Sequence, residues 1–232
     1  MRQYPEMRTP PHIAHVKQVC FHPTKPETYF VCIEQGALLK TTDDGNSWVE
    51  LHGYEQPDMD IKFRHDAHRV VQPLDRPSDV YFCAGEGLYV SHDEGATWLQ
   101  LQSRFDRIGY PDALFLDPRD QRTLYMGGAG EAPEEWRTTR NALAGVIRTR
   151  DGGRTWDELK NGLPAPVRGN IEAVAHHHAG DYLAIVAGTA TGEVYLSDDA
   201  GESWSCIASG LPPISKAGHY RWFLSEEERA KV

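Results

Sequence analysis

Carboxylic acids recur on the same face of successive strand-like segments of this sequence. Asp112 and Glu172 align with each other and with Lys17 and His68, and Asp66 lies two residues before His68. Glycoside hydrolysis uses two carboxyl groups about 5–10 Å apart, one as the acid and one as the base or nucleophile. Asp66, Asp112 and Glu172 are therefore the candidate catalytic residues if the chain is an enzyme.

Polar residues also recur two positions before these aligned residues, where a strand would otherwise be apolar. Because side chains on a strand alternate between its two faces, residues two apart share a face. A solvated polar lining and a ligand-binding site both account for this pattern, and the sequence leaves both interpretations open. The candidate ligand-binding residues are His15, Lys17, Arg64, His68, Tyr110 and Asn170.

The segment 64–68 alternates residues that bind metals elsewhere. Asp66 and His68 share a strand face, whereas His65 lies on the opposite one. Because two ligands without a third partner do not define a site, we predict no metal. The sequence also contains no P-loop, dinucleotide fingerprint or Ser-His-Asp nucleophile elbow, so we predict no cofactor.

The elements that position these residues are indicated by an internal repeat. Four segments follow the pattern Ser/Thr, any residue, Asp, any, Gly, any, Ser/Thr, Trp, at 41–48, 91–98, 149–156 and 197–204. Their tryptophans are 50, 58 and 48 residues apart, and a near-constant period of this length is typical of repeat architectures. The motif residues are Asp43, Gly45, Trp48, Asp93, Gly95, Trp98, Asp151, Gly153, Trp156, Asp199, Gly201 and Trp204.

The chemistry of this repeat motif is that of a tight turn. Asp accepts hydrogen bonds from nearby backbone N–H groups, and Gly supplies the positive φ that such a turn needs. Trp offers a large apolar surface that anchors the turn in a core. Each motif has too few clustered oxygens for a calcium site. We therefore predict a structural role for the motif residues.

Each motif lies in a unit of four short strand-like pieces separated by Pro, Gly and Asp turns. Four strands per roughly 40–50 residues predict an all-β chain that folds as a β-propeller of four-stranded antiparallel blades. The whole chain, 1–232, is predicted to be one propeller domain. Its predicted blades are about 15–52, 67–103, 110–160 and 170–208, followed by a C-terminal strand and tail at 209–232. The third unit carries an insertion, 128–143, which the sequence leaves open as an exposed recognition loop or a capping flap without a partner.

The four motifs resemble Asp boxes, also called BNR repeats, of the sialidase-like propeller superfamily, and the resemblance covers most of the chain. It implies a propeller whose boxes lie on the outer rim, away from the ligand site. Its members include sialidases, other glycan hydrolases, sorting-receptor ectodomains and photosystem assembly factors, and uncharacterised bacterial proteins with WD40- or YVTN-like repeats. A sialidase would need an Arg-Ile-Pro signature, which Arg107-Ile108-Gly109 does not match.

Composition excludes several other classes of protein. The 232 residues carry a formal net charge of −10, and a nucleic-acid backbone needs clustered Lys and Arg, so no nucleic-acid partner is expected. No apolar run approaches the roughly 20 residues of a membrane helix, so no membrane span is expected. The first thirty residues lack the apolar core of a signal peptide, which predicts a cytoplasmic location with reduced cysteines.

Two classes of function remain open. The first is a non-catalytic binding or assembly propeller that holds a protein or carbohydrate ligand with its channel mouth and loops. The alternative is a glycoside hydrolase or lyase that acts through the channel carboxylates. The carboxylates are few and the repeats have a structural explanation, so we favour the first.

The C-terminal region predicts an incomplete ring of blades. Residues 220–224 alternate in the manner of an inner strand, yet only a short charged tail follows them. An unpaired strand leaves backbone groups without partners and is an aggregation hazard. We therefore predict an open propeller arc that lacks one or two blades, or closure through a partner chain, with self-association through open blade edges. A closed four-bladed ring is the alternative.

Overall fold

The computed structural model describes residues 14–55, 66–215 and 225–229, and within them the chain forms four antiparallel sheets of four strands each. Blade 1 consists of β1 (His15–Phe21), β2 (Tyr29–Glu34), β3 (Ala37–Thr41) and β4 (Val49–Glu50). Blade 2 consists of β5 (Ala67–Val71), β6 (Val80–Ala84), β7 (Gly87–Ser91) and β8 (Leu99–Ser103). Blade 3 consists of β9 (Tyr110–Asp117), β10 (Asp120–Ala129), β11 (Gly145–Thr149) and β12 (Asp157–Glu158). Blade 4 consists of β13 (Ile171–Ala179), β14 (Tyr182–Thr189), β15 (Val194–Ser197) and β16 (Ser205–Ala208).

The strands of each sheet are paired in chain order, so each blade is an up-and-down meander. Consecutive blades pack face to face, with β5 against blade 1, β9 against blade 2 and β13 against blade 3. The prediction of an all-β propeller with four visible blades is confirmed. The predicted strand at 220–224 lies outside the described residues.

Apolar side chains fill the spaces between the sheets. Phe30 and Leu38 of blade 1 belong to the same buried cluster as Val70 and Phe82 of blade 2. This packing explains why the central strands are rich in apolar and aromatic residues on both faces. The blades therefore adhere mainly by apolar burial.

Two helices occur in the described residues, α1 (Pro133–Thr139) and α2 (Glu226–Arg229), and neither is long and apolar enough to cross a membrane. Of the two interpretations of the insertion 128–143, the structure favours a flap that covers the blade, because the insertion contains α1 and buries Trp136 completely. The indole N–H of Trp136 donates to the Glu131 carbonyl at 2.9 Å. Its ring packs edge-on against Tyr110 at 5.5 Å, so the insertion covers part of the inner strand β9.

The repeat motifs form self-contained turns between the third and fourth strands of each blade. In the second motif Asp93 accepts hydrogen bonds from Ser91 Oγ at 2.7 Å and from the backbone N–H and hydroxyl of Thr97 at 2.8 and 2.6 Å. These bonds favour the ionised carboxylate and lower the pKa of Asp93 to about 2. Gly95 has a φ of +93°, which only glycine adopts without strain.

The motif glycines also fix how one blade meets the blade before it. A Cβ on Gly95 would lie 2.7 Å from Leu51 of blade 1, and a Cβ on Gly201 would lie 2.5 Å from Leu159 of blade 3. The motif tryptophans differ in exposure, since Trp48 is 43% exposed and Trp204 is 4% exposed. The tryptophan of the first motif therefore presents part of its apolar ring to solvent, whereas the tryptophan of the fourth motif is buried.

Candidate functional site

The inner strand of every blade carries a β-bulge at the same place. The pairing of inner strand and neighbour skips one residue in each blade: Lys17, His68, Asp112 and Glu172. A bulge leaves its extra residue out of the ladder and changes the direction of that side chain. These are the four positions that the sequence alignment made equivalent, so the fold gives them a common and unusual backbone setting.

The bulged residues direct polar side chains into one region at the starts of the inner strands. We call this region the inner cluster. It consists of Lys17, Glu34, Asp66, His68, Tyr110, Asp112, Asn170 and Glu172, which come from all four blades.

Asp112 is the centre of the inner cluster and is completely buried. Lys17 Nζ lies 2.8 Å from Asp112 Oδ1 and 3.1 Å from Glu34 Oε2. Asn170 Nδ2 donates to Asp112 Oδ2 at 2.7 Å. Hydrogen bonds from a cation and an amide stabilise a buried carboxylate, and these contacts of Asp112 link blades 1, 3 and 4.

Asp66 and His68 form the part of the inner cluster nearest to Tyr110. The Tyr110 hydroxyl donates to Asp66 Oδ2 at 2.8 Å. His68 Nδ1 donates to the Pro111 carbonyl at 2.5 Å, and His68 Nε2 faces Asp66 Oδ1 at 3.2 Å. Burial, with the nearby carboxylates of Asp66 and Asp112, raises the pKa of Tyr110 well above its ordinary value. The phenol therefore stays protonated and acts as a donor.

Glu172 lies at the blade 4 side of the inner cluster. Asn170 Nδ2 is 3.4 Å from Glu172 Oε1, and Ser215 Oγ donates to Glu172 Oε2 at 3.2 Å. One amide nitrogen is thus within reach of both Asp112 and Glu172. Two carboxylates this close could form an acid–base pair, but both are buried.

The structure brings most of the sequence-derived candidates together. Asp66, His68, Tyr110, Asp112, Asn170 and Glu172 are all buried. His15 is the exception, because 46% of its side chain is exposed while its Nε2 lies 3.6 Å from Glu34 Oε2. Arg64 lies outside the described residues. The catalytic and binding roles assigned from sequence stay predictions.

Glu34 and Ser215 are members of this site that the sequence reasoning missed. Glu34 ends β2, an otherwise apolar strand, and only 2% of it is exposed. A carboxylate that ends an apolar strand was the available signal. Glu34 lies on the second strand of its blade, so the equivalence of the inner strands does not reveal it.

Comparisons with known proteins support the fold. No protein-family model matches the chain. The oligoxyloglucan-reducing end-specific xyloglucanase of Emericella nidulans is 23% identical over 203 residues, which cover 83% of this chain and 24% of that enzyme. The chain therefore spans about a quarter of the length of the curated relative that it matches.

Solved structures with the same fold include enzymes and other propellers. An ancestral GH74 enzyme has a TM-score of 0.64 and 15% identity over 84% of this chain and 24% of its own. The GH74 xyloglucanase from Xanthomonas campestris has a TM-score of 0.57 and 19% identity over 86% of this chain and 31% of that enzyme. YCF48 from Cyanidioschyzon merolae has a TM-score of 0.52 and 14% identity, with 85% and 57% covered. At these identities the likeness shows a β-propeller, and the relationship to sialidase-like proteins stays a prediction.

Proposed function

We propose that this chain is a non-catalytic β-propeller section that binds a glycan at the end of the blades where the inner cluster lies. The observation that carries the proposal is that all three candidate catalytic carboxylates are buried and engaged by neighbouring side chains. A glycosidase acid must come within hydrogen-bonding distance of the glycosidic oxygen. Asp66 and Asp112 instead link the inner strands of different blades, and Glu172 is held by Asn170 and Ser215.

The surface around the inner cluster offers groups suited to a sugar. Phe105 is 84% exposed in the connection from β8 to β9, which enters the inner strand at the cluster end. The Arg104 guanidinium lies 4.7 Å from its ring centroid and 3.5 Å from Glu86 Oε1. An aromatic face beside charged donors and acceptors suits a pyranose ring and its hydroxyls. The xyloglucanase relatives make a xyloglucan-type glycan the first ligand to test.

A glycoside hydrolase is the second candidate function. The shared contact of Asn170 with Asp112 and Glu172 favours it, because the two carboxyl groups are then close enough to act as a pair. The similarity to the xyloglucanase of Emericella nidulans points the same way. Activity would require that the inner cluster open to admit the glycan.

Titration calorimetry and a reducing-sugar assay on the same xyloglucan oligosaccharides separate the two functions. We expect the 232-residue chain to bind the oligosaccharides without hydrolysing them. Phe105→Ala should weaken this binding about tenfold, which corresponds to a loss of roughly 1.4 kcal/mol in binding free energy. Leu74→Ala is the matched control, since Leu74 is 70% exposed at the opposite end of blade 2 and should leave binding unchanged.

Turnover that disappears in Asp112→Asn and Glu172→Gln would contradict the binding function and establish the hydrolase. Equal effects of Phe105→Ala and Leu74→Ala would show that the cluster end is not the glycan surface. The absence of both binding and turnover would overturn both candidates for this ligand class.

A further inference from the structure

Three potential metal ligands meet inside the inner cluster. Glu34, Asp66 and His68 each place one ligand atom within 4.8 Å of the others, and all three residues are buried. Glu34 comes from the end of β2 in blade 1, whereas Asp66 and His68 come from the start of the inner strand of blade 2. The bulge at His68 directs the imidazole toward this point.

The hydrogen bonding of His68 leaves one ring nitrogen aimed at the carboxylates. A carbonyl oxygen only accepts, so Nδ1 carries the proton that it donates to Pro111. In the neutral ring Nε2 then holds a lone pair. Within the described residues this buried atom makes no hydrogen bond, and it faces Asp66 Oδ1 at 3.2 Å.

Two facing lone pairs in a buried region repel each other, and a positive ion that both atoms ligate would remove that repulsion. A backbone carbonyl on the far ring nitrogen is the usual device that orients a metal-binding histidine. Lys17 Nζ, 3.1 Å from Glu34 Oε2, positions the carboxylate of Glu34, the third ligand, in the way that outer groups orient metal ligands.

We infer that Glu34, Asp66 and His68 form a binding site for a divalent first-row transition metal ion. One imidazole with two carboxylates suits Zn²⁺ and other divalent first-row transition metal ions, whereas Mg²⁺ and Ca²⁺ prefer ligand sets made only of oxygens. The site joins blade 1 to blade 2, so the ion adds to the stability of the propeller. This inference does not depend on the proposed glycan binding.

Zn²⁺ titration of the chelator-treated 232-residue chain tests the site. We expect one equivalent of Zn²⁺ to bind tightly to the chain. Saturating Zn²⁺ should raise the melting temperature by about 5 °C or more, because an ion that binds only the folded state stabilises it. His68→Gln should weaken Zn²⁺ binding at least tenfold and abolish the thermal shift. Millimolar Mg²⁺ should not displace the ion.

His92→Gln is the matched control, because His92 Nδ1 lies 2.8 Å from Asp79 Oδ1 in an exposed His–Asp pair. This variant should still bind one equivalent of Zn²⁺ tightly. If His92→Gln and His68→Gln have equal effects, the Zn²⁺ binds surface histidines and the inference is wrong.

Imidazole ¹⁵N NMR of the wild-type chain keeps the test decisive even if His68→Gln fails to fold. A change in the Nε2 signal of His68 that saturates at one equivalent of Zn²⁺ supports the site. A His68 ring that is protonated on both nitrogens and insensitive to Zn²⁺ would show that a proton, not a metal ion, lies between His68 and Asp66.

Discussion

The two ends of the blades use the same residue type, aspartate, in opposite ways. At one end, Asp93 makes its hydrogen bonds within four residues of itself and lies in an exposed turn. At the other end, Asp112 contacts Lys17 and Asn170, which are 95 and 58 residues away in the chain, and it is completely buried. We call these ends the motif end and the cluster end.

The difference shows which aspartates bear on function. A local turn is a complete structural unit, so its residues are explained by the stability that they give. Long-range contacts between buried charged groups cost desolvation and need a compensating network, and such networks cluster at functional sites. The motif end therefore builds the propeller, and the cluster end is where we place binding.

The largest expected effect belongs to the motif end. Trp204→Ala should lower the free energy of unfolding by about 3–5 kcal/mol, because truncating a buried aromatic leaves a cavity. Trp48→Ala is the control, since the exposed Trp48 should cost much less. Denaturant unfolding of both variants measures the difference, and equal losses would contradict the assigned packing.

The next effect belongs to the cluster end. Lys17→Met should lower the free energy of unfolding by about 3 kcal/mol, because it leaves buried carboxylates without their cation. Lys25→Met is the control, since Lys25 pairs with Glu94 at a more exposed position. If the two variants are equally stable, Lys17 is not buried in the way described.

A smaller effect concerns the pH dependence of the motif end. Because the folded-state pKa of Asp93 is held at about 2, below its ordinary value of 3.8, its contribution to stability is complete above about pH 4 and disappears as the pH falls toward 2. Asp93→Asn should therefore melt at a lower temperature than wild type at pH 6, and the gap should narrow toward pH 2.

The matched control for this pH experiment is Asp44→Asn. Asp44 lies within the corresponding motif of blade 1, next to the motif aspartate Asp43, in a left-handed conformation that Asn also tolerates. At pH 6, the difference in melting temperature between Asp44→Asn and wild type should be smaller than that between Asp93→Asn and wild type. A gap for Asp93→Asn that is constant from pH 6 to pH 2 would exclude the ionised Asp93 as the stabilising species.

Much of this architecture could be predicted from the sequence because its signals are local. The motif turn is encoded within eight residues, so four copies at a near-constant spacing were sufficient to predict the blades. The alignment of the inner strands also predicted that Asp112 and Asn170 would share a region. It could not predict the bulges, which depend on the register between neighbouring strands.

The rest of the site depends on packing between blades. Glu34 reaches the inner cluster only because blade 1 packs against blade 2, and no local pattern contains that information. Trp136 is buried because the insertion folds back on Tyr110, although a charged insertion by itself indicates an exposed loop. The predicted self-association and the strand at 220–224 stay predictions.

A pair of double-mutant cycles tests the contrast between the two ends most directly. Lys17 with Asp112 at the cluster end and Arg150 with Glu202 at the motif end are both 2.8 Å ion pairs between different blades. They differ in burial, since the side chains of the first pair are 10% and 0% exposed and those of the second are 55% and 58% exposed.

We expect a coupling free energy of at least about 1.5 kcal/mol for Lys17→Met with Asp112→Asn, and less than about 0.5 kcal/mol for Arg150→Met with Glu202→Gln. Denaturant unfolding of the six variants gives both values. Additive effects at Lys17 and Asp112, or equal coupling in the two pairs, would contradict a buried, connected cluster at the starts of the inner strands.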